Sequence, residues 1–278
     1  MRCSFSARSG PRPAPCDKLR VISNSLSHPY LTLILPAFNE SRTIASTLSK
    51  TISYFDQRGY TYQIIVAADG SDGTRERVAE LGRTNPRVQV TGHPERLGKG
   101  RGVREAVAMA TGEIIGYADA DDKVPIEEFD KIGPLLNEFD VVTGSRALDR
   151  TLIQRRQPLY RRAGSRGFAV FMQTVVGLRG ITDSQCGFKF FRRKVALELF
   201  RCQKIDGYMF DVEILALALL FGYRVKEVPI RWRDDGDSRL QLLSGNIRNV
   251  IDIFRIRLSR RQYLRDVSSA RAHRQAEP

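Results

Sequence analysis

The stretch Leu31-Thr32-Leu33-Ile34-Leu35-Pro36-Ala37-Phe38-Asn39-Glu40 joins a short apolar run to a polar end. The run over residues 31–35 predicts a buried strand that stops at Pro36, because proline cannot donate a hydrogen bond to a neighbouring strand. Residues 41–57 then carry apolar side chains at helical spacing. A buried strand followed directly by an amphipathic helix predicts the first unit of a layered α/β fold.

The same alternation continues along the chain. Further strands are predicted over residues 63–67, 87–90, 113–118, 141–144, 187–191 and 224–231, and helices over residues 75–81, 103–110, 126–137, 159–178, 194–200, 211–221 and 240–258. Strands separated by helices predict a mostly parallel central sheet flanked by helices, with a less regular, elaborated second half. Because ligands of such sheets bind beyond the carboxyl ends of the strands, the candidate site residues are those that follow each strand.

The composition excludes several classes of protein. The chain has 278 residues, of which 42% are hydrophobic and 27% are charged. These values are ordinary for a globular protein and exclude collagen-like, coiled-coil and wholly disordered chains. No run approaches 18 uninterrupted apolar residues, so no transmembrane segment is predicted. The four cysteines have neither metal-site spacing nor a dense disulfide pattern, which favours a reducing, cytoplasmic setting.

The net charge of +14 lies in the second half of the chain. Residues 1–140 contain 18 basic and 18 acidic residues, whereas residues 141–278 contain 27 basic and 13 acidic residues. A charge confined to one half suggests that this half faces a polyanion or an anionic membrane. Nucleic acid is the commonest polyanion and is kept as a rival, although no recognised nucleic-acid-binding motif supports it.

The two ends of the chain differ from its middle. Residues 1–28 are rich in Ser, Pro and Arg and predict a disordered extension. A transit peptide has a similar composition, but its amphipathic helix would be broken by the prolines of this segment, and no apolar segment supports a secretory signal. Residues 29–260 predict one domain, and residues 261–278 predict a polar C-terminal tail.

Acidic residues crowd the end of the predicted strand 113–118. Asp119, Asp121 and Asp122 place three carboxylates in four positions. Such crowding is costly unless a cation lies among them, and Mg²⁺ or Mn²⁺ binds carboxylate and phosphate oxygens together. The alternative is a solvated acidic turn that caps the next helix. Two other polar segments, residues 36–40 and 69–73, end strands of the same sheet, and three polar ends at one edge favour a site.

These three segments resemble a known family. Pro36-Ala37-Phe38-Asn39-Glu40, Asp69-Gly70-Ser71 and Asp119-Ala120-Asp121 match, in order, the motifs of the family 2 glycosyltransferases of GT-A fold. In the second half, Asp183-Ser184-Gln185-Cys186-Gly187-Phe188-Lys189 and Phe210-Asp211-Val212-Glu213 are similar to the polyprenyl-phosphate glycosyltransferases, and most of all to the dolichyl-phosphate β-glucosyltransferases. The resemblance covers about residues 30–258 and implies a GT-A fold with a Rossmann-like sheet.

The resemblance also implies roles for individual residues. It assigns residues 29–145 to the nucleotide-sugar-binding half and residues 146–260 to the acceptor-binding half. It implies catalytic roles for Asp121, Asp183 and Asp211. It also implies that Asp119 and Asp121 bind a metal ion, Mg²⁺ or Mn²⁺. Donor binding falls on Pro36, Ala37, Asn39, Glu40, Asp69, Lys99, Asp119, Ala120 and Gln185. Binding of the acceptor phosphate or the diphosphate falls on Arg146, Arg161, Arg162, Arg233, Ser238 and Arg239.

This chain departs from the family pattern at three positions. Ala68 stands where relatives have the first of two aspartates, and Arg239 stands where relatives use lysine. Lys123 occupies a position where mannose synthases often place a glutamine ligand of the metal, which argues against that branch. Cys186 has no histidine near it in sequence, so a small residue that lines the sugar pocket is a better interpretation than a nucleophile.

The predicted helix over residues 240–258 is amphipathic and basic. Its apolar stripe consists of Leu243, Ile247, Val250, Ile251, Phe254 and Leu258, with five arginines around it. The stripe either packs on the domain or lies on an anionic membrane surface, and the sequence leaves both interpretations open.

The sequence therefore predicts a metal-dependent inverting glycosyltransferase that moves a hexose to a polyprenyl or dolichyl phosphate. Glucose from UDP-glucose is the expected donor, and the enzyme is expected at the cytoplasmic membrane face as a peripheral protein, with no nucleic acid as a partner. A soluble or polysaccharide acceptor is the first alternative. A nucleic-acid-binding protein on a degenerate enzyme scaffold is the second.

Overall fold

A seven-stranded sheet forms the centre of the part of the chain that the structure describes. The computed structural model describes residues 28–152, 164, 167–233 and 246–276. The strands are β1 Leu31–Phe38, β2 Tyr62–Asp69, β3 Val88–Thr91, β4 Ile114–Ala118, β5 Val141–Ser145, β6 Phe188–Arg192 and β7 Val225–Pro229. Their order is β3-β2-β1-β4-β6-β5-β7, and β6 runs antiparallel to both of its neighbours while the other pairings are parallel.

Helices cover both faces of this sheet. They are α1 Ile44–Arg58, α2 Thr74–Thr84, α3 Lys99–Met109, α4 Phe129–Ile132, α5 Arg193–Cys202, α6 Phe210–Leu220, α7 Asn246–Leu258 and α8 Arg260–Ala276. Alternate residues of β1 belong to different cores: Leu33 lies in the core that includes residues of α1, α2 and α4, whereas Ile34 lies in the core that includes residues of α3 and α5 to α8. Because both faces are buried, the strands read as continuous apolar runs, and the predicted mostly parallel α/β sheet is confirmed.

The first strand is longer than the sequence predicts. It continues through Pro36 to Phe38, where Pro36 is opposite Ala67 of β2. The pairing of β1 with β4 ends earlier, at Ile34. From that point β1 has a sheet neighbour on one side, so a proline without an N–H group is tolerated.

Strand β6 differs from the parallel pattern in a way that positions the site. Its antiparallel direction sets Phe188, at its start, opposite Ala118, at the end of β4. The Asp119 N–H group donates to the Gly187 carbonyl at 2.9 Å. The segment 183–187 is thereby brought to the carboxyl edge of the parallel strands.

Two other segments differ from their predictions. Residues 126–137 are not one helix but a 3₁₀ turn, the short α4 and a second 3₁₀ turn. The expected tail from residue 261 instead contains α8, which buries Tyr263 and Val267 against the sheet-covering helices. Two apolar residues four positions apart are a weak signal, but they are enough when a neighbouring helix offers an apolar groove.

The predicted helix 159–178 falls partly outside the described residues. Within them, residues 167–171 are helical and continue into a π-helical turn, Met172–Val176. Among the helices that the structure describes, no helix has the length and apolar character needed to cross a membrane.

Candidate active site

The ends of β1 and β2 meet as the sequence predicts. Phe38 is opposite Asp69 in the sheet register. Asn39, at φ 54°, adopts a left-handed conformation that asparagine tolerates better than most side chains do. Its side chain lies against Gly70, where an added Cβ atom would be 2.2 Å from the Asn39 Oδ1 atom. Gly70 is therefore required for the two motifs to touch.

Asp69 binds the backbone of the loop that follows β3. One oxygen of its carboxylate accepts from the His93 N–H group at 3.2 Å, and the other accepts from the Leu97 and Gly98 N–H groups at 2.9 and 3.3 Å. The side chain is buried. Asp69 therefore shapes the wall of the expected donor site and places the start of α3, where Lys99 lies.

The acidic cluster after β4 is held by lysines. Lys99 Nζ lies 2.7 Å from Asp119 Oδ1, and Lys123 Nζ lies 3.1 Å from Asp121 Oδ2. Asp122, in the left-handed region at φ 55°, forms an ion pair with Lys50. Each carboxylate of the cluster thus has a cationic side chain beside it.

Asp211 lies behind Lys99 in a buried network. Its Oδ1 atom accepts from Lys189 Nζ at 2.5 Å and from the Tyr117 hydroxyl at 2.6 Å, and its Oδ2 atom is 3.6 Å from Lys99 Nζ. Burial opposes the charge on Asp211, but Lys189 and Lys99 outweigh that cost and lower its pKa. For Lys99 itself, burial likewise opposes the charge, and Asp119 and Asp211 raise its pKa.

Arg146 and Asp183 form a bidentate ion pair. The Nε and Nη2 atoms of Arg146 lie 2.7 and 2.8 Å from the two oxygens of Asp183. Glu227 supports the pair by accepting from the Asp183 N–H group at 2.8 Å. Burial opposes ionisation of Asp183, but Arg146 outweighs it and lowers the pKa of the carboxyl group. The two residues that the resemblance places in catalysis and acceptor binding are thus brought together.

Comparison with known proteins identifies the kind of molecule to which this site belongs. A model of glycosyl transferase family 2 matches residues 32–200. The chain belongs to glycosyltransferase family 2. A dolichyl-phosphate beta-glucosyltransferase of Trichomonas vaginalis is 36% identical over 88% of this chain and 76% of that protein. One of Dictyostelium discoideum is 31% identical over 84% of this chain and 76% of that protein.

Solved structures confirm the fold of this glycosyltransferase. Glucosyl-3-phosphoglycerate synthase from Mycobacterium tuberculosis, in complex with Mn²⁺ and UDP-glucose, superposes with a TM-score of 0.55 at 19% identity, over 84% of this chain and 79% of that one. Mannosyl-3-phosphoglycerate synthase from Rubrobacter xylanophilus gives a TM-score of 0.55 at 18% identity, over 89% and 75%. This glycosyltransferase has the GT-A fold.

The remaining predicted residues lie around the same edge, except where the structure does not describe them. Ala37 and Ala120 are buried, Pro36 and Glu40 are partly buried, and the Gln185 amide is 3.7 Å from the Met209 sulfur. The Arg233 N–H group donates to the Lys123 carbonyl at 2.9 Å, which places Arg233 beside the acidic cluster. Four predicted residues, Arg161, Arg162, Ser238 and Arg239, lie outside the described residues.

The sequence prediction missed two members of the buried network, Lys189 and Tyr117. Lys189 is completely buried, and its ammonium group also donates to the Cys186 carbonyl at 2.6 Å. Tyr117 reaches Asp211 from β4. A signal was present: Lys189 lies between the phenylalanines of strand β6, and a charge in a buried strand requires a partner.

Cys186 does not have the surroundings of a nucleophile. Its side chain is buried, and burial raises the pKa of its thiol to about 12. A thiol with so high a pKa is almost entirely protonated at neutral pH. The interpretation of Cys186 as a small packing residue is the one that this environment favours.

The carboxylates of Asp119 and Asp121 fit a hard divalent cation. Both side chains are partly exposed, and their oxygens are the ligands that Mg²⁺ and Mn²⁺ prefer. In the part of the chain that the structure describes, no group of three His, Cys, Asp or Glu residues is arranged to hold a metal. A cation held here would therefore need oxygens of a bound diphosphate or of water to complete its coordination.

Proposed function

We propose that this enzyme transfers glucose from UDP-glucose to a polyprenyl phosphate of the dolichyl type, with inversion and with Mg²⁺ or Mn²⁺ as a cofactor. The observation that carries the proposal is the convergence of the Asp119–Asp121 pair, Lys99 and the Arg146–Asp183 pair at one sheet edge. Support for the substrates comes from relatives named dolichyl-phosphate beta-glucosyltransferases in Trichomonas, Dictyostelium, Drosophila and human.

The donor side of the site has to hold a nucleotide and release a diphosphate. Asp69 and Asn39 shape the pocket in which the nucleoside is expected. Lys99 can turn its ammonium group from Asp119 to the diphosphate, because Asp211 remains as a second counter-charge. Asp119 and Asp121 would hold a divalent cation, which would supply Lewis-acid neutralisation of the leaving diphosphate.

The acceptor side has to bring a phosphate to the sugar. A phosphate oxygen of the lipid attacks the anomeric carbon from the face opposite the diphosphate, the bond from that carbon to the diphosphate breaks, and the configuration is inverted. The acceptor phosphate is already anionic at neutral pH, so a strong general base is unnecessary. Asp183 binds the Arg146 guanidinium bidentately through the Nε and Nη2 atoms of the arginine. We assign the remaining Nη1 atom of Arg146 to the incoming phosphate.

A lipid acceptor requires access to a membrane, and α7 is suited to provide it. Asp252, Ile253 and Ile256 of α7 are buried, so one face of the helix packs on the domain. The opposite face, which we call the α7 outer face, exposes the apolar residues Val250, Ile251, Phe254 and Leu258. Exposed arginines flank it at positions 248, 255, 257, 260 and 261. An apolar face rimmed by arginine is complementary to an anionic lipid surface.

The buried face of α7 lies next to a loop that packs against the start of α3. Gly207 lies next to α7, since a Cβ atom added there would be 3.8 Å from the Asp252 Oδ2 atom. The preceding residue, Asp206, packs against Gly98, where an added Cβ atom would be 2.3 Å from the Asp206 carbonyl oxygen. The helix that carries the outer face is therefore linked through its buried face and residues 206–207 to the start of α3, where Lys99 lies.

Replacing Phe254 and Leu258 together by aspartate is expected to weaken binding to anionic vesicles at least about tenfold, because each apolar side chain contributes about 1.5–3 kcal/mol when fully buried. The measurement is flotation with phosphatidylglycerol–phosphatidylcholine vesicles. Leu197→Asp, a change at an exposed leucine of α5, is the matched control and should bind like the wild type. Equal binding of all three proteins would contradict the proposed membrane face.

The donor and acceptor are tested together by a radiolabel assay. We expect label from UDP-glucose, and not from GDP-mannose, to enter an organic extract when dolichyl phosphate and Mn²⁺ are present, and EDTA to prevent it. Transfer to a soluble sugar without label in the organic phase would contradict the lipid acceptor. Equal transfer in EDTA would contradict the metal.

A further inference from the structure

The carboxylates that we assign to the cation are already occupied by the side chains of this chain. Lys123 approaches Asp121 twice: its ammonium group is 3.1 Å from Oδ2, and its own N–H group donates to Oδ1 at 3.3 Å. Lys99 approaches Asp119 at 2.7 Å. A divalent cation has to displace both ammonium groups before it can bind the two carboxylates.

Both lysines are held in place by their surroundings. Only 21% of the Lys123 side chain and 17% of the Lys99 side chain are exposed. The backbone of Lys123 is fixed from two directions, because its carbonyl accepts from the Arg233 N–H group at 2.9 Å and the preceding Asp122 has a left-handed conformation. Partly buried ion pairs are screened less by solvent than exposed ones, so this competition is energetically significant.

The four carboxylates of the acidic cluster and the buried network also balance the four lysines beside them. Four carboxylates are paired with four ammonium groups: Asp119 with Lys99, Asp121 with Lys123, Asp122 with Lys50 and Asp211 with Lys189. These pairs carry no net charge that would attract a free dication. A dication that arrives with an anionic diphosphate binds more easily, because the diphosphate provides a new counter-charge for the lysines that the dication displaces.

We infer that Lys123, together with Lys99, is an internal counter-ion that keeps free metal weakly bound and makes tight metal binding depend on the nucleotide diphosphate. The inference rests on the proposed metal-dependent transfer. Lys99 can exchange Asp119 for the diphosphate while Asp211, at 3.6 Å, remains beside it. Lys123 determines how costly it is for the cation to bind. When the cation enters, Asp121 loses its contact with the Lys123 ammonium group and part of its hydrogen bonding to the Lys123 N–H group.

The inference is tested with Lys123→Met, which removes the ammonium group and adds no oxygen ligand. The dissociation constant of Mn²⁺ is measured by electron paramagnetic resonance with and without UDP, so that no turnover is needed. In the wild type we expect UDP to tighten Mn²⁺ binding at least about tenfold. In Lys123→Met we expect Mn²⁺ alone to bind about tenfold more tightly than in the wild type, with a smaller effect of UDP, since one unit of competing charge is gone.

Lys50→Met is the matched control, because it removes the same charge from Asp122 and leaves both proposed metal ligands paired. It should change Mn²⁺ affinity by less than about threefold. If Lys50→Met tightened Mn²⁺ as much as Lys123→Met, or if Lys123→Met bound Mn²⁺ like the wild type, the counter-ion role would be wrong while the proposed function stood. If none of the three proteins bound Mn²⁺ even with UDP, the proposed metal site would be wrong as well.

Discussion

Asp121→Asn is expected to lower sugar transfer by about a hundredfold to a thousandfold, while the thermal unfolding midpoint stays close to that of the wild type. The amide cannot replace the charged oxygen that holds the cation, and loss of one electrostatic contact to a developing charge typically costs about 10²–10³ in rate. The fold should survive because Asp121 is partly exposed, so the amide leaves no fully buried charge without a partner. Label transfer into lipid and a thermal melt measure the two quantities.

Asp122→Asn is the control for this change. Asp122 belongs to the same acidic cluster but pairs with Lys50 on the other side of the turn. We expect Asp122→Asn to retain transfer within about tenfold. If Asp121→Asn kept wild-type transfer and the wild-type response to EDTA, Asp121 would not be a metal ligand.

Asp211→Asn is expected to lower the free energy of unfolding by about 3–5 kcal/mol, because it leaves the ammonium group of Lys189 buried without its negative partner. Urea denaturation measures the change. Asp56→Asn breaks an exposed ion pair with Arg87 and should cost less than about 1 kcal/mol. The double variant Asp211→Leu, Lys189→Met removes both charges, so it should recover much of the lost stability.

The pH dependence provides a second readout for Asp211. Its pKa is lowered in the folded state, so its contribution is fully present above the unfolded pKa of about 3.9 and is lost as the pH falls through the lower folded value. The difference in stability between the wild type and Asp211→Asn should therefore be constant near neutral pH and shrink below about pH 4. A difference that stayed constant into the acid range would contradict the buried ion pair.

The same network assigns Asp211 a positioning role in transfer. Asp211 reaches Lys99, and Lys99 reaches Asp119, so the carboxylate acts on the site through the lysine. Its catalytic assignment from the resemblance stays a prediction. Glu213, from the same motif, accepts from the Lys204 and Ile205 N–H groups and from the Tyr263 hydroxyl, which are structural contacts.

The sequence alone determined the parts of this protein that depend on local pattern. The apolar runs and helical spacings fixed the α/β order, and the position of Asp69 and Asp119 directly after strands predicted a common edge of the sheet. The structure confirms the α/β order and the common edge. The strand ends meet there because neighbouring parallel strands run in the same direction in the sheet. The motifs also predicted glycosyltransferase family 2, which the comparisons confirm.

Only the tertiary structure decided which charges meet. Lys99 meets Asp119 across 20 positions, and Lys189 meets Asp211 across 22, at distances in sequence where no periodic pattern applies. The sequence also did not predict the antiparallel direction of β6 or the packing of α8 on the domain, because both depend on the space that other elements leave. A sequence records the preference of each segment for its own conformation, but an ion pair between segments exists only once the fold has excluded water and set the distance between them.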